Sequence, residues 1–173
     1  MSIEPPSTPG TEMLALAALV EEHSEMLFRY AYRLSGSAAD AEDLTQQTFL
    51  AAHRHLDQLR EAGRARSWLC AILRNVYLKQ LRSNGGLEFD SLQDVAEPAS
   101  EVALDHPIDE EQLQSALLEL PEEYRSPVIL FYFGELSYKE IAEQLEVPIG
   151  TVMSRLARAK SLLKKRLSPL PTN

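Results

Sequence analysis

One cysteine, Cys70, is the only thiol in 173 residues. A lone thiol builds neither a disulfide framework nor a cysteine-rich zinc site. Long apolar runs are missing as well. The longest, 13–20 and 128–133, fall far short of the ~20 residues that span a bilayer. The first twelve residues carry no Lys or Arg, so no signal peptide is expected, and a soluble cytoplasmic protein without membrane insertion is. None of His23, His53, His55 and His106 follows a Glu at the E-x-x-H spacing of di-iron bundles. His53 and His55 stand two apart and point to different helix faces. The seven glycines make no G-x-x-x-x-G-K-[ST] phosphate loop. No metal, no cofactor and no catalysis by this chain alone are expected. Period-two alternation never persists, which excludes a sheet.

Another absence is local. Residues 150–167 contain no Asp or Glu but three Arg and three Lys, in a chain whose net charge is -9. The acids lie elsewhere: residues 84–127 hold twelve acids and one Arg. Residues 60–83 hold six bases and one acid, and the stretch from 137 to the end holds seven bases and three acids. Two basic zones therefore flank an acidic segment. Charges further apart than about 8–10 Å are screened at physiological salt, so local sign governs an interface and net charge does not.

Patterning predicts an all-α fold: two small helical bundles joined by a flexible acidic linker. Residues 1–10, with three prolines and a glycine, read as a disordered tail. A domain over 11–85 begins with a helix to about residue 34, stopped by Gly36. Ser37 with Asp40 starts a second helix, running to residue 56. A third spans 66–82, with Leu69, Ile72, Leu73 and Val76 as its apolar stripe. Trp68 and Cys70 read as core residues. Residues 86–107 are acidic and aperiodic, a linker composition. A second domain, 108–168, opens near Asp109 with Leu113, Leu117 and Leu120 inward. It continues through a Pro127-containing helix that Gly134 ends, and 169–173 form a tail.

Ser137 and Glu140 have the spacing of a capping box. Ile141, Ala142 and Leu145 then face a core, Glu146 and Val147 turn the chain, and Pro148 suits the first position of the next helix. Two helices so closely joined cross steeply, as in a helix-turn-helix. On the second, Val152, Leu156, Ala159, Leu163 and Leu167 make one stripe. Thr151, Ser154, Arg155, Arg158 and Lys165 fall on the other side. Hydroxyls and arginines suit a major groove, with Lys164, Lys165 and Arg166 toward phosphates. A membrane-surface helix would want bulky aromatics, and none follow Tyr138.

The motifs LP-x-x-x-R, G-x-L-S-Y-x-E-I-A and V-P-x-G-T-V-x-S-R-L within 120–163 resemble region 4 of the extracytoplasmic-function (group 4) sigma factors of bacterial RNA polymerase. In that family this helix reads the −35 promoter element. The resemblance carries that role to Thr151, Ser154, Arg155 and Arg158. Met153 stands where Lys or Arg is common in the family, and Ala157 where His, Arg or an aromatic is common.

Glu42, Asp43, Leu44, Gln47 and Phe49, followed by Trp68, Leu69, Ile72, Asn75 and Arg82, resemble region 2 of the same family. The resemblance implies that Glu42, Asp43, Leu44, Gln46, Gln47 and Phe49 dock on the clamp helices of the polymerase β′ subunit, the polar four by direct contact and Leu44 and Phe49 while also partly packing the bundle. It also implies that the next segment meets the −10 element as single strand. Single-strand binding needs a cationic groove, and Arg60, Arg64, Arg66, Arg74, Lys79 and Arg82 supply cations, with Asn75 as a base or backbone contact. Leu59 replaces a common Phe behind the base-capturing loop. The partners implied are core RNA polymerase (β′ clamp helices and β flap), promoter DNA and, as a further partner the family admits, an anti-sigma factor. Two rivals remain at this stage. A helix-turn-helix regulator acting without polymerase would need a dimerisation seam, and no heptad is present. A metal or redox bundle would need the missing ligand spacings.

Overall fold

The computed structural model describes residues 9–85 and 108–168. The acidic linker, the extreme N-terminus and the C-terminal tail lie outside the described residues. Helix α1 spans Pro9–Ser35, α2 Ala38–Arg54, α3 Ala65–Ser83, α4 Glu110–Leu118, α5 Glu122–Tyr132, α6 Tyr138–Leu145 and α7 Ile149–Leu167. Two 3-10 turns, Leu56–Gln58 and Ala62–Arg64, bridge α2 to α3. No strand occurs among the described residues.

Helix α1 begins two residues earlier than composition suggests, at Pro9, where a proline's missing N–H costs nothing. Ser37 caps α2, its hydroxyl accepting from the Asp40 amide at 3.3 Å. Helix α2 stops at Arg54, two residues short of the expected end, because the His55 amide turns back to the Ala52 carbonyl. The α6 capping box is complete: the Glu140 amide donates to Ser137 Oγ and the Ser137 amide to Glu140 Oε2. Glu146 takes the left-handed conformation at φ 55° and closes α6, with the Val147 amide reaching the Ala142 carbonyl. Pro148 is the N-cap of α7 and not its first helical residue. Pro127 is buried within α5, which continues past it.

Leu27, Tyr30, Ala31 and Leu34 of α1 pack with Leu44 and Ala52 of α2 and Leu69, Cys70 and Leu73 of α3. Leu117, Ile129, Leu130, Ile141, Val152, Leu156 and Ala159 fill the second bundle. Burial pushes the Cys70 thiol up to about 12, so it is a packing group without thiolate character near neutral pH. Trp68 is half-buried against the same core, as its place on the stripe suggested.

The two bundles share one continuous core, and polar contacts cross between them. Arg33, 7% exposed, donates to Gln114 Oε1 at 3.1 Å, pairs with Glu110 and lies 4.7 Å over the Phe133 ring. Gln114 in turn donates to the Tyr32 carbonyl at 3.2 Å. The last turn of α1 leaves carbonyls without helical partners. Gln114 serves that of Arg33 at 3.4 Å, and the Tyr77 hydroxyl serves that of Leu34 at 3.1 Å. Gly36, at φ +72°, ends the helix at this seam, and a Cβ there would sit 2.8 Å from Leu118 Cδ1. The left-handed region costs a non-glycine residue about 1–2 kcal/mol, while the leucine tip can swing aside. Gly36→Ala is therefore expected to lower stability by about that amount, read as a lower urea midpoint at unchanged slope. An unaltered midpoint would show that this turn is not held in the left-handed form.

Candidate nucleic-acid interface

Burial of Val152, Leu156 and Ala159 sets the orientation of α7 against α5 and α6. Thr151 and Ser154 are half-buried, and the Ser154 hydroxyl is turned back to the Thr151 carbonyl at 3.1 Å. Arg155 is also half-buried, with Nη2 3.9 Å from Glu123 of α5. It thus leans on its own bundle, and Arg158 beside it is half-buried too. Lys160, Lys164 and Lys165 are exposed, and Lys160 Nζ lies 5.7 Å from the Tyr132 ring. Arg166 pairs with Glu119 at 2.6 Å. Ile149 and Met153, both large and apolar, are half exposed in the first turns.

The cations expected at the −10 element do not form one surface. At about 100° per residue, Asn75, Lys79 and Arg82 fall within about 60° of one another on α3, and all three are exposed. Arg66 and Arg74 lie on other faces of the helix and are half-buried. Arg66 pairs with Glu135 of the second bundle at 2.7 Å. At the adjacent residue, Gln144 of α6 donates to the Ser67 carbonyl at 2.7 Å. The N-terminal end of α3 is therefore held against the helix-turn-helix. Arg60 and Arg64 stand exposed in the connection before α3, with Arg64 3.6 Å from Glu61.

On α2, Glu42, Asp43 and Gln46 are exposed, and Gln47 and Phe49 half-buried. Leu44 is a correction: only 1% exposed, it packs the core and has no surface to offer a partner. Asp43 Oδ2 accepts from Gln47 Nε2 at 2.8 Å and from Gln80 Nε2 at 3.3 Å. Gln80 of α3 was not anticipated. Its spacing from Asp43 carries no periodic signal, and only the packing of α3 on α2 brings it there. This cluster lines an open groove of about 670 Å³ between α2 and α3, with Leu50, Arg54 and Lys79 also in its lining. Among the described residues no group of three His, Cys, Asp or Glu is placed to hold a metal, and no helix is long and apolar enough to cross a membrane.

The family model described as Sigma-70 region 2 matches residues 19–86, and that described as Sigma-70, region 4 matches residues 110–163. ECF RNA polymerase sigma factor SigE of Mycolicibacterium smegmatis is 37% identical over 159 residues. The match covers 87% of this chain and 60% of SigE, so the chain spans less than two thirds of that relative. ECF RNA polymerase sigma factor SigL of Mycobacterium tuberculosis is 33% identical, with 93% of each protein covered. Among solved structures, the sigma factor RpoE from Bartonella quintana, in complex with the anti-sigma factor NepR, has a TM-score of 0.70 at 28% identity. That likeness covers 88% of this chain and 96% of RpoE.

Proposed function

This chain belongs to the sigma-70 family, as an extracytoplasmic-function RNA polymerase sigma factor, and from that membership we propose how its two bundles divide the work of initiation. Such a factor binds core polymerase, recognises the −10 and −35 promoter elements and promotes opening of the duplex. The first bundle docks on polymerase through Glu42, Asp43, Gln46 and Gln47, and presents α3 with the loop before it to the −10 strand. The second bundle places α7 in the −35 major groove, its Lys164 and Lys165 toward phosphates. The observation that carries this reading is the acid-free, basic face of α7, mounted on a capped helix-turn-helix. In RpoE the partner is an anti-sigma factor, and a partner of that class is proposed for this chain as well.

The arrangement of the bundles bears on how the factor loads. Elements named −10 and −35 are about 25 base pairs apart, or about 85 Å on straight duplex at 3.4 Å per base pair. Bundles joined through Arg66–Glu135 and Gln144–Ser67 cannot span that distance. Promoter binding thus requires them to separate. A chain the length of the segment 86–107 reaches at most about 75 Å when extended, and the bundles' own widths supply the remainder.

The test is run-off transcription with core polymerase on a promoter library. Specific transcripts that need this chain, and that vanish when either element is scrambled, are expected. Promoter binding by the chain alone, with no effect of core polymerase, would favour an independent regulator instead.

A further inference from the structure

The first two turns of α7 carry a feature that neither core packing nor phosphate binding accounts for. Ile149 is 50% exposed and Met153 53% exposed. They stand four residues apart, so their side chains are neighbours on one helix face. The helix start is set by Pro148, whose carbonyl accepts the amides of Thr151 and Val152 at 2.9 and 3.2 Å. With Val152, Leu156 and Ala159 inward, the Ile149–Met153 pair lies beside the buried stripe and opens to solvent. Lys160 and Lys164 continue the same stripe toward the C-terminal end, both exposed. The stripe is thus apolar where a recognition helix meets base edges and cationic where it leaves the groove for the backbone.

An apolar side chain in a major groove has one strongly apolar feature to meet, the 5-methyl group of thymine. Charge argues for DNA as the occupant, since residues 150–167 hold six positive charges and no negative one. Met is unbranched and polarizable, and it adapts to an irregular contact. We propose that Met153, with Ile149 beside it, reads thymine methyl groups in the −35 element. This is a determinant of specificity at positions where a Lys or Arg would instead have contacted phosphate or guanine. The inference rests on the assignment of α7 as the −35 reader.

The experiment uses holoenzyme reconstituted from core polymerase and the full chain, with a promoter chosen from the library. Each −35 thymine is replaced singly by deoxyuridine, which keeps base pairing and removes only the methyl. At one or two positions, wild-type binding should weaken about fourfold, the worth of one buried methyl. Met153→Ala should bind the thymine promoter about that much more weakly and be indifferent to deoxyuridine at the same position. Met153→Leu should retain the sensitivity. Equal sensitivity in wild type and Met153→Ala would overturn the proposal, as would a selected element without A·T pairs. Loss of core binding in Met153→Ala, with no deoxyuridine effect in wild type, would overturn it in favour of a protein partner on this face. Scrambling the whole −35 element separates the premise from the inference. If wild-type binding ignores that change, α7 is not the reader at all; if it depends on it but not on any methyl, only the methyl contact fails.

Discussion

Tethering residue 67 to residue 144 should abolish promoter-specific transcription while core polymerase is still bound. The Gln144 side chain reaches the Ser67 carbonyl at 2.7 Å, so Ser67→Cys and Gln144→Cys place two thiols across the seam for a short bismaleimide. Cys70 does not compete, because it is buried and its thiol is held at about 12. The tether keeps α3 against the helix-turn-helix, and the two DNA-reading surfaces then cannot reach both elements at once. Engagement of two linked sites raises binding by roughly 10²–10⁴, and that gain disappears when geometry forbids simultaneous contact. A hundredfold or greater loss of run-off product is therefore expected on this estimate, with each single-cysteine variant unaffected by the reagent. Core binding should persist, since Asp43 and its neighbours on α2 remain exposed. Full activity of the tethered protein would show that initiation does not need the bundles apart.

Asp43→Ala combined with Gln47→Ala should weaken core binding by roughly tenfold to a hundredfold. Interface side chains that matter cost more than about 1 kcal/mol each when truncated, and each 1.4 kcal/mol is a factor of about ten. Stability should scarcely move. The Asp43–Gln47 and Asp43–Gln80 hydrogen bonds are exposed, and surface substitutions of this kind stay within about 0.5 kcal/mol. Titration of fluorescent core polymerase, beside a thermal melt of the free variant, separates the two readouts. A lower melting temperature with unchanged affinity would assign the pair to fastening α2 on α3.

Local features of the structure were legible residue by residue. Ser137 and Glu140 announce a capping box because its two hydrogen bonds need only their own spacing. The stripe Val152, Leu156 and Ala159 announces the buried side of α7 because a helix repeats every 3.6 residues. The split of the −10 cations into separate faces follows from the same periodicity, yet it shows only when angles are applied within one helix. Arg155 is different. Its distance from Glu123 depends on how α5 lies beside α7, and no spacing in the chain encodes that.

Sequence by itself determined the all-α class, the helix-turn-helix, the family likeness and the sign of charge on each segment. These rest on short-range rules of capping, periodicity and composition, which act over a few residues. Tertiary structure alone decided that Leu44 is wholly buried and offers a partner nothing, that Gln80 joins Asp43, and that Arg33 is buried between the bundles against Gln114, 81 residues away. The reason is physical. Burying a guanidinium is tolerated only where hydrogen-bond acceptors and an opposite charge meet it together, and those partners come from a helix whose approach depends on the packing of the whole core.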